Sequence, residues 1–133
     1  MSKTYRLFVS HSWKYSDAYE KLVNLLTYQG ISYFDHSVPK DDPVHTNGTD
    51  KQLRAKIDAK IQGCSGVILL AGVYSTYSKW INEEIEISQA YRKPIIAVEP
   101  WASKNTSSVV KNAADRTVRW NGKSLADAVK ELF

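Results

Sequence analysis

Gly66-Val67-Ile68-Leu69-Leu70-Ala71 is an unbroken apolar run. A strand with one face in water alternates apolar and polar residues, whereas a run without alternation marks a strand covered on both faces, as in the middle of a parallel sheet. Pro94-Ile95-Ile96-Ala97-Val98 repeats the pattern. Between the two runs, a helix is predicted from near Ser78 to Tyr91. Strand, helix, strand is the repeating unit of a parallel sheet.

The rest of the chain extends that unit in both directions. Tyr5-Arg6-Leu7-Phe8-Val9-Ser10 reads as a first strand, rich in aromatic and β-branched residues. Ser16 is a candidate N-cap, followed by Ala18, Leu22, Leu25 and Leu26 on one helical face with Tyr19 and Val23. Gly30 is placed to end that helix in a left-handed conformation. Ile31 to Asp35 is a short second strand. His36 to Gly48 reads as a long loop with Pro39 and Pro43, which little anchors. A helix from near Thr49 to Gln62 carries Leu53, Ile57 and Ile61 four apart. Residues 101–114 are polar and poorly patterned and receive no element. Thr117 to Trp120 is a weak fifth strand, and Ser124 to Phe133 a last helix. The expected architecture is α/β: a flavodoxin-like, doubly wound parallel sheet of about five strands in order 2-1-3-4-5, with helices on both faces. Residues 1–133 read as a single domain. In such sheets ligands bind beyond the carboxyl ends of the strands, beside the switch point between strands one and three. Two segments fall there: Ser10 to Trp13, and Gly72 to Glu84.

Composition narrows the class. The chain has 133 residues, with 18 Lys+Arg against 14 Asp+Glu, a net charge of +4. Hydrophobic residues make up 43% and charged residues 24%, which excludes a disordered or collagen-like chain. The cations are scattered rather than gathered in a stripe, so no nucleic-acid partner is expected. No apolar run reaches the ~18 residues of a membrane span, and no signal peptide is visible. Cys64 is the single cysteine, so no intrachain disulfide forms and a reducing, cytoplasmic setting is expected.

The helix after strand three is the most informative segment. At ~100° per residue, with Trp80 at zero, Tyr91 lies near ~20°, Glu84 near ~40°, Ser88 near ~80°, Ile81 near ~100°, Ile85 near ~140° and Ile87 near ~340°. Glu83 and Glu86 fall on the opposite, polar side with Asn82 and Gln89. Of three acidic residues, Glu84 alone shares the arc of aromatic and aliphatic side chains. A carboxylate turned toward a sheet costs several kcal/mol unless it is paired or opens into a cavity. Glu84 is therefore either a rim carboxylate paired to a nearby cation or a functional group. Trp80, four residues earlier, is in reach of it and offers an aromatic plate suited to a flat, cationic or cation-forming ligand.

Other candidates are weaker. Ser10-His11-Ser12-Trp13 has hydroxyls and amides for ribose or phosphate, but none of the glycines of a phosphate-binding loop. His11, His36 and His45 lack metal-ligand spacing, so no metal site is expected. Ser10, His11 and Asp35 can be drawn as a triad, though no nucleophile elbow is present. Cys64 reads as buried packing. Glu99 reads as a turn residue before Pro100.

Tyr5-Arg6-Leu7-Phe8-Val9-Ser10-His11-Ser12 resembles the first box of TIR domains, and Trp80-Ile81-Asn82-Glu83-Glu84-Ile85 resembles their Trp-Cys-x-x-Glu-Leu pattern. The wording Phe8-Val9-Ser10-His11-Ser12-Trp13 is most similar to the bacterial TIR-like family that includes ThsB of the Thoeris anti-phage system. Arg6 stands where the first box usually has an acidic residue, Ile81 stands where many TIR domains have Cys, and the second and third boxes have no match. The resemblance implies cleavage of the nicotinamide–ribose bond of NAD, as substrate rather than cofactor, with Glu84 at the catalytic position. It also implies an ADP-ribose-type, often cyclic, product sensed by a downstream effector, and self-assembly on activation. Ser10, His11, Ser12, Asp35 and Trp80 are then candidate substrate-binding residues. Two other classes compete: a non-catalytic TIR self-assembly module, and a nucleoside deoxyribosyltransferase-like enzyme.

Overall fold

A computed structural model describes residues 4–10, 16–35, 50–70, 79–99 and 108–133. The loop expected over 36–48 lies outside the described residues. Strands β1 (Thr4–Ser10), β2 (Ser32–Asp35), β3 (Gly66–Leu70), β4 (Ile95–Val98) and β5 (Arg116–Val118) alternate with helices α1 (Ser16–Tyr28), α2 (Asp50–Gln62), α3 (Lys79–Ala90), α4 (Ser108–Ala113) and α5 (Gly122–Leu132). All strand pairs are parallel, in order β2-β1-β3-β4-β5. The doubly wound order expected from the two apolar runs is the order observed.

The central strands are buried on both faces because two cores meet at the sheet. On one face Leu7, Val9, Ile68, Ile96, Val98 and Val118 pack with Leu22 and Leu26 of α1 and with Leu125, Ala128 and Val129 of α5. On the other, Phe8, Val67, Leu69, Ile95 and Ala97 pack with Leu53, Ile57 and Ile61 of α2, with Ile85 and Ile87 of α3, and with Val110 of α4. The period-2 alternation of each strand divides its residues between these cores. Helix α4 falls in the stretch read as unpatterned. With six residues, it is too short for a helical hydrophobic period to register. Of its described side chains Val110 is fully buried, and Ala113 packs partly buried against the same core.

Two side-chain clasps tie neighbouring strands at their amino ends. Ser65 precedes β3: its amide donates to the Arg6 carbonyl at 2.5 Å, and its Oγ accepts from the Arg6 amide at 3.1 Å. Asp115 precedes β5 and does the same to β4: its amide donates to the Ile95 carbonyl at 2.8 Å, and its Oδ2 accepts from the Ile95 amide at 2.8 Å.

Helices α1 and α3 end in the same motif. After α1, the Gly30 amide donates to the Thr27 carbonyl and the Ile31 amide to the Leu26 carbonyl, with Gly30 at φ +75°. After α3, the Arg92 amide donates to the Gln89 carbonyl and the Lys93 amide to the Ser88 carbonyl, with Arg92 at φ +55°. Both are Schellman caps, whose left-handed residue is usually glycine. Gly30 meets the sequence expectation. Arg92 holds the position at a cost of about 1 kcal/mol relative to glycine. Helix α5 starts on Asn121, whose side chain accepts from the Ser124 amide at 3.0 Å.

A Cβ built on Gly66 would lie 2.3–2.5 Å from ring atoms of Phe133, so the ring would have to move to admit one. Gly66→Ala is expected to cost about 1–3 kcal/mol through displacement of that ring. In the Phe133→Ala background the same substitution should cost much less. A double-mutant cycle by urea unfolding with no coupling between the two sites would refute the contact.

Candidate functional site

Parallel strands point their carboxyl ends the same way, and each following helix begins at that edge. Ser10 ends β1 and lies at the switch point, in register with Leu69 of β3. Asp35 ends β2 but is in register with Leu7. It therefore stands three residues short of Ser10, roughly 10 Å back along the strand direction. The topology thus sets Ser10 and the start of α3 at the same edge, with Asp35 one strand over and lower. Trp80 occupies the first turn of α3. His11 and Ser12 lie outside the described residues.

Glu84 is buried, with 4% of its surface exposed. Its neighbours on the helix follow the expected phase. Ile85 and Ile87 enter the core under the sheet, and Ser88 is fully buried. The Ser88 Oγ donates to the Glu84 carbonyl oxygen at 2.6 Å, an i to i−4 back-bond within α3. Tyr91 departs from its expected place on the apolar arc. The helix stops at Ala90, and Tyr91 is 37% exposed, with its hydroxyl donating to Asp58 Oδ1 of α2 at 2.6 Å. That bond stabilises the protonated phenol and raises its pKa.

Glu83 and Glu86 point away from the core, as expected, and both pair with Arg54 of α2. The second pair measures 3.1 Å. Pairs this exposed contribute at most about 1 kcal/mol each. Their use is positional: with the Tyr91–Asp58 bond they bracket α3 against α2 and hold the rotation that turns Glu84 inward. Sequence reading did not find Arg54, because i to i+4 logic works within one helix and not between two. Glu99 follows β4, donates its amide to the Val118 carbonyl at 2.9 Å and pairs with Lys111 of α4 at 3.7 Å. The turn expected there runs into Pro100, outside the described residues.

This arrangement is a doubly wound α/β sheet with one buried carboxylate on the helix that starts beside the switch point. The chain belongs to the family of the TIR-like domain of the Thoeris protein ThsB, whose family model matches residues 8–105. No curated protein matches the sequence. Among solved structures, the chain is similar to the Clostridium botulinum CMP N-glycosidase BcmB at 18% identity, covering 94% of this chain and 98% of that one, with a TM-score of 0.57. It is similar to a prokaryotic SEFIR domain at 15% identity, covering 96% and 95%, with a TM-score of 0.51. It is also similar to the diflavin flavoprotein A3 of Nostoc sp. at 14% identity, covering 99% and 92%, with a TM-score of 0.50. At these identities the likeness is one of fold. Among the described residues no helix is long and apolar enough to cross a membrane.

Cys64 is buried under the same core. Burial pushes its thiol above the usual range, partly offset by the Lys93 ammonium. A thiol of this kind is a poor nucleophile. Iodoacetamide at pH 8 should leave the folded protein unlabelled and label it fully in denaturant, as read by intact mass. Stoichiometric labelling of the folded protein would contradict this placement.

Proposed function

We propose that this chain cleaves the N-glycosidic bond between nicotinamide and ribose in NAD, with Glu84 as the catalytic carboxylate. One observation carries the reading: a carboxylate 4% exposed, on the apolar face of the helix that begins at the ligand-binding edge of the sheet. A scaffold has no need of such a group, and burying it is costly. Membership of the ThsB TIR-like family supports the same assignment.

The chemistry needs few groups. Nicotinamide leaves C1′ with the bonding electron pair, which neutralises its ring, so no general acid is required. The ribose left behind is an oxocarbenium-like cation. A fixed carboxylate stabilises it by charge and by holding ribose hydroxyls. Water then adds to C1′ and loses a proton, giving ADP-ribose. Attack by a nucleophile within the same molecule gives a cyclic product instead. In this reading Ser10, His11, Ser12 and Asp35 hold ribose or phosphate, and Trp80 walls the site. A neighbouring copy completes the enclosure of a dinucleotide that is large for so small a domain.

A second reading takes support from the likeness to a CMP N-glycosidase. The bond class is the same, but the leaving group differs. Cytosine leaves a nucleotide as a neutral base only if it gains a proton, so its departure calls for an acid beside the stabilising carboxylate. Among the described residues Glu84 is the one buried carboxylate.

Incubation with NAD and, separately, with CMP is the test, with products identified by mass spectrometry across a range of protein concentrations. Nicotinamide release is expected, at a rate per molecule that rises with concentration. Glu84→Gln should lower it on the order of a hundredfold or more while the protein stays folded by circular dichroism. Glu86→Gln should lower it far less, since Glu83 keeps α3 paired to Arg54. Cytosine release without nicotinamide release would select the second reading. Full NAD cleavage by folded Glu84→Gln would remove Glu84 as the catalytic group, and release of neither base by the parent protein would leave an assembly module in place of the enzyme.

A further inference from the structure

Opposite the site just described, at the amino edge of the sheet, lies a cavity of about 570 Å³ that is open to solvent along one side. It is lined by Gln89 and Arg92 at the end of α3, by Lys93 and Pro94 leading into β4, by Asp115 before β5, and by Leu132 of α5. We propose that this cavity is a second ligand site, built for the phosphomonoester of a pentose, whether a nucleoside monophosphate or a free sugar phosphate.

Three observations carry the proposal. The first is unmatched charge. Two cations, Arg92 and Lys93, line the same depression, and among the described residues neither has an ion pair or a side-chain hydrogen bond. Lys93 is half-buried, its stem against the fold. The second is strain. Arg92 sits in the left-handed conformation that α1 assigns to Gly30 in the same motif. A non-glycine residue kept at such a position is characteristic of a functional constraint, and here the retained group is a guanidinium at a cavity. The third is the rest of the lining. Asp115 spends Oδ2 on the Ile95 amide, leaving Oδ1 to accept from a hydroxyl. Pro94 and Leu132 supply an apolar wall.

The chemistry of the ligand follows from those groups. A planar fork and a point charge side by side suit a phosphate dianion. A carboxylate oxygen beyond them suits sugar hydroxyls, and an apolar wall suits a ring. The volume is within the range of small-molecule sites and fits a mononucleotide. The proposal is independent of the NAD reading, since it uses none of the same residues and none of the same edge.

The test is a titration followed at the backbone amide resonances of Lys93, Ile95 and Asp115, using AMP, ribose 5-phosphate and adenosine. AMP and ribose 5-phosphate should saturate shifts at these amides, and adenosine should not. Tighter AMP binding marks a nucleotide as the ligand, and equal binding marks the sugar phosphate as sufficient. Arg92→Gly should weaken binding about tenfold or more while melting no lower than the parent protein. Lys93→Gln should weaken it similarly, and Glu84→Gln should leave it unchanged. No shift at these amides up to about 10 mM AMP would overturn the proposal. So would shifts of undiminished affinity in both Arg92→Gly and Lys93→Gln.

Discussion

The burial of β3 and β4 on both faces is the constraint on which the rest of the structure depends. Val67, Ile68, Leu69, Ile95, Ile96, Ala97 and Val98 are all buried. No single layer of helices can dry such strands. The chain therefore lays α1 and α5 on one side and α2, α3 and α4 on the other. With right-handed crossovers, the side each helix takes follows from the direction in which the sheet is being extended. The start of α3 arrives beside the switch point as a consequence, and Glu84 arrives with it.

Helix α3 is then the element with the most conflicting demands. It must bury Ile85 and Ile87, keep Glu83 and Glu86 in reach of Arg54, and hold an acidic side chain inside. A rotation of one residue position, about 100°, would turn a different carboxylate toward the core. The polar links to α2 resist that rotation. The Ser88 back-bond adds a local tie at the carbonyl of Glu84 itself. Stability and site geometry are thus set by the same few contacts.

The fold was legible from two apolar runs, and the phase of Glu84 from simple helical geometry. Both are properties of residue order along one element. What was not legible depends on contacts between elements. The pairing of Arg54 with Glu83 and Glu86 joins residues about thirty positions apart, and no periodicity encodes it. Helix α4 hid in a polar stretch because a six-residue helix with one fully buried Val110 leaves no repeating signal. Arg92 was hidden for the opposite reason: the residue that announces a left-handed cap is glycine, and here it is absent. Tyr91 leaves the helical phase because the helix stops at Ala90, one residue before it.

The two clasps at the amino ends of the strands answer a question that the buried core leaves open. An alternating strand specifies its own alignment, since a slip of one residue would turn every polar side chain inward. Strands β3 and β4 are apolar on both sides and have no such safeguard. Slipped by one, Val67-Ile68-Leu69 would still present only hydrocarbon to both cores. Alignment information has to come from elsewhere, and Ser65 and Asp115 supply it, each gripping one residue of the adjacent strand through backbone and side chain together. The ladder is indexed from its amino end, and the relative heights of Ser10, Leu70 and Val98 at the far edge are inherited from that indexing.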